Sequence, residues 1–180
     1  MWEAQIREAA AVTALPVYVE LTAAQVSHGA LDQLAGTPLR LKYRTGGIEA
    51  HLFPTPQELG DVLVAAVSAG LPFKLTAGLH EAARYTSAGT GFTHHGFLNI
   101  ALATQAARAG EDRDVVAGWL AETDPARLGA AAAASDGAWR ASFTSFGTCS
   151  VGELMLAVEC ENRAEDEVRR RLLHIRDVMV

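Results

Sequence analysis

Two lysines lie within short segments whose residues favour β-strands. Lys42 belongs to residues 39–44 and Lys74 to residues 73–76, and both segments are rich in leucine and aromatic residues. Lysine is seldom fully buried unless it is paired or functional, and a nearby cation favours the neutral amine that a Schiff-base or general-base lysine requires. We therefore expect each of the two lysines to supply the cation beside the other. In the alternative interpretation, each ammonium group reaches water or pairs with Glu20.

The residues that accompany these lysines favour the binding of an anion. Side chains alternate along a strand, so Arg44 shares a side with Lys42, and a guanidinium can bind phosphate or carboxylate through two hydrogen bonds. Glycines follow both strands directly, where backbone N–H groups can face an anion. The predicted anion-binding residues are Arg44, Gly46, Gly47, Thr76 and Gly78.

Histidines and a glutamate near the same strand ends are candidates for proton transfer. His80 follows the strand of Lys74, and Glu20 lies in a further strand-like segment at residues 17–21; either side chain could carry a proton. A second interpretation is a divalent metal ion bound by Glu20, His80, His94 and His95. A third gives His80 only structural hydrogen bonds. No organic cofactor is predicted, and the glycine-rich loop before His94 is typical of a mobile lid.

Strand-like and helical segments alternate in the first half of the chain. Strands are predicted at residues 17–21, 39–44, 73–76 and 139–146. Apolar residues at helical spacing follow Thr55, Pro56 and Glu58, which are typical of a helix N-terminus. Strands that alternate with helices pair in parallel, and ligands of parallel sheets bind at the carboxyl ends of the strands. We therefore expect the site at that edge of the sheet.

The whole chain, residues 1–180, is predicted to form a single α/β domain with its core at about residues 15–160. Further helices are predicted at residues 97–109, 113–121 and 126–134, and an amphipathic helix at about residues 163–179. Four parallel β-α units resemble half of a (β/α)8 barrel, whose two free sheet edges a second copy or a partner chain would cover. The alternative is an open doubly wound sheet, although no Gly-x-Gly-x-x-Gly follows the first strand.

Composition limits the classes of function. The formal net charge of −6 at pH 7 and the lack of a strongly basic patch argue against non-specific nucleic-acid binding. No apolar run approaches the ~20 residues of a membrane-spanning helix, and the first residues lack the pattern of a signal peptide, so we expect a cytoplasmic protein that acts on a small molecule. Cys149 and Cys160 are too few for a disulfide framework or a thiolate zinc site.

Three segments, at residues 42–47, 73–80 and 95–99, resemble the carboxyl-terminal half of a family of uncharacterised actinobacterial proteins with a barrel-like fold. The similarity spans about residues 16–152. It implies a barrel-like fold and no particular activity. In the family pattern a second histidine follows the position of His80, whereas this chain has Glu81. The resemblance therefore does not carry over a shared metal or proton-relay role.

Residues 42–47 and 74–78 also resemble, more distantly, the paired lysine strands of class I deoxyribose-phosphate-type aldolases, with the order along the chain swapped. In those enzymes one lysine forms the Schiff base and the other tunes it. The resemblance favours a lyase acting on a phosphorylated or carboxylated carbonyl metabolite, with Lys74 as nucleophile or base and Lys42 as its electrostatic partner. The alternative from another class is a non-catalytic half-barrel that serves as an assembly or ligand-binding subunit.

Overall fold

A computed structural model of the chain describes residues 2–12 and 15–147. Cys149, Cys160 and the helix predicted at residues 163–179 lie outside the described residues. The helices and strands are, in chain order, α1 (Trp2–Ala10), β1 (Tyr18–Leu21), α2 (Ala23–Ser27), β2 (Arg40–Arg44), α3 (Pro56–Ser68), β3 (Phe73–Thr76), β4 (Tyr85–Thr86), β5 (Thr93–His94), α4 (Phe97–Arg108), α5 (Arg113–Ala121), α6 (Pro125–Ala134) and β6 (Phe143–Phe146). Short 3-10 turns occupy Ala30–Gln33, Ala50–Leu52 and Ala138–Ala141.

Four of these strands form one parallel sheet in the order β1-β2-β3-β6. The predicted α/β class and the parallel pairing are therefore confirmed, and the first three strands lie within one residue of their predicted bounds. That the sheet is half of a barrel stays a prediction.

The fourth strand is shorter than predicted, because residues 138–141 form a 3-10 turn instead of a strand. Two acceptors hold this turn: Asp136 Oδ1 accepts a hydrogen bond from Ala138 N at 2.9 Å, and Gln105 Oε1 of α4 accepts one from Trp139 N at 3.0 Å. The preceding Gly137 has a φ of 77°, which favours glycine. Backbone N–H groups bound to side chains are not available for a sheet, so β6 begins only at Phe143.

One face of the sheet packs on the helices. Leu41, Phe73 and Leu75 alternate with polar residues along β2 and β3 and are fully buried, and Leu59 and Leu63 of α3 belong to the same core. The helix α3 begins as predicted, because Thr55 and Glu58 form a reciprocal capping box. The helix α3 therefore covers the apolar side chains of β2 and β3, which alternate along these strands with the charged residues.

The helix α4 is buried along most of its length and begins at an unusual cap. Phe97 N and Leu98 N donate to the carbonyl groups of Glu81 and Ala82 at 3.1 and 3.0 Å, so backbone from the preceding loop satisfies the first helix donors. A side chain at Gly96 would collide with the backbone of Ala82 and of the residue after it. Only glycine allows this close approach.

The helices predicted at residues 97–109, 113–121 and 126–134 are confirmed as α4, α5 and α6. The loop predicted as a glycine-rich lid contains an antiparallel hairpin, in which Tyr85 pairs with His94 and Thr86 with Thr93. Among residues 2–12 and 15–147, no helix is long and apolar enough to cross a membrane.

Candidate functional site

The second face of the sheet carries charged and polar side chains. The strand register places Lys42 between Glu20 and Lys74, and Ser145 follows Lys74 in the same row. Nearer the carboxyl ends, Arg44 lies beside Thr76. We name this surface the polar face, and it consists of Tyr18, Glu20, Arg40, Lys42, Arg44, Lys74, Thr76, Thr144 and Ser145.

The two lysines of the polar face are also the only lysines of the whole chain, in which thirteen of the fifteen basic residues are arginines. The structure places them side by side on adjacent strands. A chain that uses arginine elsewhere therefore uses lysine at two neighbouring positions. Lysine, unlike arginine, can lose its proton and act as a nucleophile or base.

Glu20 pairs with two cations of β2. Lys42 Nζ lies 2.5 Å from Glu20 Oε2, and Arg44 Nε donates to Glu20 Oε1 at 3.3 Å. The hydrogen bond from Lys42 is the main reason why the pKa of Glu20 lies below its ordinary value. Glu20 is therefore ionised at neutral pH and can accept a proton but not donate one. The three side chains stay between 30% and 47% exposed, so a ligand can reach them.

Lys74 is held by an aromatic ring instead of a carboxylate. Its Nζ lies 4.3 Å from the centre of the Tyr18 ring, which is a cation–π contact. Within the described part of the chain, Lys74 forms no ion pair. The two adjacent lysines thus have different partners.

The hydroxyl group of Tyr18 belongs to a chain of hydrogen bonds. Arg40 Nη1 donates to it at 3.2 Å, and it lies 2.9 Å from Thr144 Oγ1. The single hydroxyl proton of Thr144 goes to the carbonyl oxygen of Phe73 at 3.0 Å, so Tyr18 is the donor in its bond to Thr144.

The bond between Tyr18 and Thr144 shows that the sheet curves toward the polar face. Tyr18 lies on β1 and Thr144 on β6, with β2 and β3 between them. In a flat sheet three strand spacings amount to about 14 Å, which is too far for the side chains of a tyrosine and a threonine to meet at hydrogen-bonding distance. The polar face is therefore a groove with Tyr18 across its amino-terminal end.

The glycines predicted to bind an anion have structural roles at the strand ends. A Cβ at Gly46 would lie 3.0 Å from the carbonyl oxygen of Ala77, and one at Gly47 would collide with Leu52. Gly78 has a φ of 89°. These glycines allow the chain segments after β2 and β3 to pack against each other. This packing explains why glycine occupies the three positions, without a bound ligand.

The same close packing strains the turn after β3. Ala77 has a φ of 66° and is, in the described ranges, the one residue other than glycine with a positive φ. Thr45, which is almost fully buried, donates from Oγ1 to the carbonyl oxygen of Ala77 at 2.8 Å. Strain of this kind costs about 1–3 kcal/mol and persists only where the surroundings enforce it. The strained residue, Ala77, directly follows Thr76, whose Oγ1 is buried and has no hydrogen-bond partner in the part of the chain described.

His95 has a structural role that the sequence did not reveal. Its Nε2 donates to the carbonyl oxygen of Pro54 at 2.8 Å, and its Nδ1 accepts a hydrogen bond from Arg84 Nη1 at 3.1 Å. Burial lowers the pKa of His95 to about 4, so the ring is neutral and both nitrogens are in use. His95 is unsuited to bind a metal ion or carry a proton here.

His94 and His80 lie in an aromatic cluster beside the strand ends. Nδ1 of His94 donates to the carbonyl oxygen of Gly78 at 3.0 Å, and its ring stacks on Tyr85 with 4.8 Å between the ring centres. The ring of His80 lies 6.0 Å from that of His94. His80, one of the two predicted proton carriers, therefore lies next to the hairpin that contains His94.

The alternative metal site is not assembled. Its four predicted ligands are Glu20, His80, His94 and His95, of which Glu20 pairs with Lys42 on the polar face while the last two histidines bind backbone carbonyl groups. Among the residues with described positions, no group of three or more His, Cys, Asp or Glu side chains is placed to hold a metal ion.

The site residues predicted from the sequence did not include Tyr18, Arg40 or Thr144 of the polar face. Strand alternation could have found the first two, since Tyr18 lies two residues before Glu20 and Arg40 two residues before Lys42. Thr144 had no such signal, because the register between β3 and β6 shifts at this point.

No protein-family model, curated protein or solved structure matches the chain. The family and aldolase resemblances therefore stay predictions. The polar face itself is therefore the basis for a functional proposal.

Proposed function

We propose that the polar face binds a small carbonyl metabolite bearing phosphate or carboxylate, and that Lys74 acts on its carbonyl group in a lyase or aldolase type of reaction. One observation carries the proposal: the chain's two lysines lie side by side on a partly exposed face. There, one has a carboxylate partner, and the other has a cation–π contact with an aromatic ring and no ion pair among the described residues.

The charge of the polar face supports an anionic ligand. It holds four basic side chains, on β2 and β3, and the single carboxylate of Glu20. The excess of three positive charges occurs in a protein whose formal net charge is −6. Such a concentration of one sign attracts ligands of the opposite sign. Arg44 and the unpartnered hydroxyl of Thr76 lie at the carboxyl ends of the strands, where parallel sheets bind their ligands.

The surroundings of Lys74 suit an imine-forming amine. Lys74 lies beside Lys42 and forms no ion pair among the described residues, so no carboxylate holds its side chain away from a substrate. The neutral amine adds to the carbonyl carbon and water leaves, which forms an iminium ion. A base, Glu20 or His80, removes the proton of a β-hydroxyl group as the bond between the α and β carbons breaks. The iminium nitrogen takes up the released electron pair, and the aldehyde fragment leaves. The resulting enamine takes a proton at its α carbon from the protonated base, and hydrolysis of the iminium ion then releases the second carbonyl product and returns the free lysine.

Borohydride trapping tests this chemistry directly. The protein is treated with sodium borohydride in the presence of pyruvate, acetaldehyde or glyceraldehyde 3-phosphate, and intact mass and peptide mapping locate the adduct. We expect an adduct on Lys74 that is lost in Lys74→Met and that still forms, but more slowly, in Lys42→Met. Because the chain has two lysines, the Lys42 variant is a matched control. Absence of an adduct with every probe, or an equal adduct in Lys74→Met, would contradict the proposal.

The second proposal concerns assembly, because the outer strands of the sheet have no further strand partner among the described residues. Since β1 and β6 are the outer strands, a second copy or a partner chain could complete a barrel around the polar face. Two polar faces brought together would repel each other unless anions lie between them. Mass measurement in solution, with and without phosphate, checks this: we expect a dimer promoted by phosphate. A monomer under both conditions contradicts the homodimer.

A non-catalytic ligand-binding subunit is the remaining candidate. The pairing of Lys42 and Arg44 with Glu20 favours a binding role. Cations that are held in place by a carboxylate can attract an anion without taking part in a reaction. Phosphate binding without imine trapping would support this candidate over the lyase.

A further inference from the structure

We propose that Tyr18 is a positioning residue, which holds the ammonium group of Lys74 away from Glu20 and so keeps the two lysines of the polar face different. The inference deepens the proposed function and rests on it, because it explains how the proposed nucleophile is placed. It concerns a residue that touches Lys74 itself.

The ring of Tyr18 is fixed from three neighbouring strands. Its hydroxyl accepts from Arg40 of β2 and donates to Thr144 of β6, and Thr144 in turn donates to Phe73 of β3. A phenol held at its oxygen by a donor and an acceptor has little freedom to rotate or swing. The face of the ring is therefore a stable surface within the groove.

Lys74 needs such a surface because its own side chain is long and flexible. Four rotatable bonds separate its ammonium group from the backbone, and Glu20 lies in the same row of the sheet, two strands away. In the structure the ammonium group lies over the Tyr18 ring instead, where the negative face of the ring attracts a cation.

Lys42 is held by a carboxylate instead of an aromatic ring. Its ammonium group is bound to Glu20 at 2.5 Å. If the ring were absent, Lys74 would be drawn to the same carboxylate, and the two lysines would share it. Tyr18 thus leaves one lysine with a carboxylate and one without, which is the asymmetry that a nucleophile and its electrostatic partner require.

Competitive amine labelling measures this asymmetry in the full-length folded protein. Trace acetic anhydride is applied over a range of pH, and peptide mass spectrometry gives the ratio of labelling at Lys74 to labelling at Lys42. The chain has no other lysine, so each lysine is the internal standard for the other. We expect Lys74 to be the more reactive, because Lys42 is bound to a carboxylate.

Variants of Tyr18 separate the ring from its hydroxyl. Tyr18→Phe keeps the ring but removes its anchoring hydrogen bonds, so it should lower the labelling ratio only in part. Tyr18→Leu removes the ring and should lower the ratio toward one, by about threefold, because Lys74 can then pair with Glu20 at a partly exposed site. A merely structural role would change both lysines together. An unchanged ratio in Tyr18→Leu overturns the inference.

Thr144→Val is the second variant, and it decides the question if Tyr18→Leu does not fold. It removes the acceptor of the Tyr18 hydroxyl and leaves the ring in place but less constrained. We expect a smaller shift of the ratio in the same direction, and no shift would overturn the inference. Labelling does not need imine chemistry, so a shifted ratio without borohydride trapping would reject the proposed lyase but keep the positioning role.

Discussion

The hydroxyl groups of Tyr18 and Thr144 lie 2.9 Å apart, although one residue belongs to the first strand of the sheet and the other to the last. We predict that Tyr18→Phe and Thr144→Val each lower the free energy of unfolding by about 1 kcal/mol. Because the two hydroxyls bond to each other, the double variant should lose less than the sum. Urea unfolding of the four proteins measures this coupling.

A second pair of hydroxyl groups is the control for that cycle. Thr86 and Thr93 face each other at 3.0 Å in the exposed hairpin, and Thr86→Val should change the free energy of unfolding by less than about 0.5 kcal/mol. Strictly additive effects of Tyr18→Phe and Thr144→Val would show that the bond across the groove contributes nothing to stability.

The second prediction concerns the pH dependence of stability. Burial lowers the pKa of His95 from 6.5 to about 4, so between these pH values the unfolded chain binds a proton that the folded protein does not. The free energy of unfolding should therefore fall as the pH falls from about 6.5 to about 4, by about 3 kcal/mol in total. Urea unfolding over this range checks the slope.

His95→Gln should be less stable at neutral pH and should lose this part of the slope, since glutamine does not titrate. His51→Gln is the matched control for the chemical change, because the His51 side chain is 70% exposed and is therefore outside the burial argument. An identical slope in wild type and His95→Gln would contradict the burial argument.

The third prediction tests the close approach at Gly96. In Gly96→Ala the new methyl group collides with the backbone of Ala82 and the following residue, which cannot move without breaking the cap of α4. We expect a loss of at least about 3 kcal/mol or a failure to fold. Gly118→Ala, at an exposed site in α5 with open space around it, should instead be neutral or stabilise by up to about 1 kcal/mol. Thermal and urea unfolding compare the two variants, and similar stabilities would refute the steric argument.

The fourth prediction tests the charge of the polar face. Glu20→Gln removes the carboxylate that pairs with Lys42 and Arg44, so inorganic phosphate should bind about threefold or more tightly at low ionic strength, and this gain should shrink as salt is added. Asp61→Asn removes one negative charge from a pair with Arg113, between α3 and the start of α5, and should have little effect. Calorimetric or NMR titration measures both. Weaker phosphate binding in Glu20→Gln would mean that the anion lies elsewhere.

Much of the sheet was predictable because its signals are local. The bounds of β2 and β3 follow from alternation and from the adjoining proline and glycine residues, and parallel pairing then places Lys42 beside Lys74. The partner of Lys74 was not predictable in this way. Tyr18 lies two strands away, and its contact with Lys74 depends on the curvature of the sheet and on the direction of both side chains.

The segment at residues 95–99, which carries part of the family resemblance, has a structural explanation that depends on distant contacts. His95 binds Pro54 and Arg84, Gly96 allows close packing, and Asn99 Nδ2 donates to the carbonyl groups of Trp119 and Glu122 at 2.8 and 2.7 Å. Partners up to 41 residues apart leave no local pattern, so histidines that look like ligands in the sequence hold the fold together instead.

The bond between Tyr18 and Thr144 also sets when the groove can exist during folding. It joins residues that are 126 positions apart, and closing so long a loop is slow and opposed by chain entropy. A nascent chain that lacks β6 has both lysines but not the brace that organises them. A ligand of the groove should therefore bind only after the last strand has docked, and its binding free energy should add directly to the stability of the complete fold.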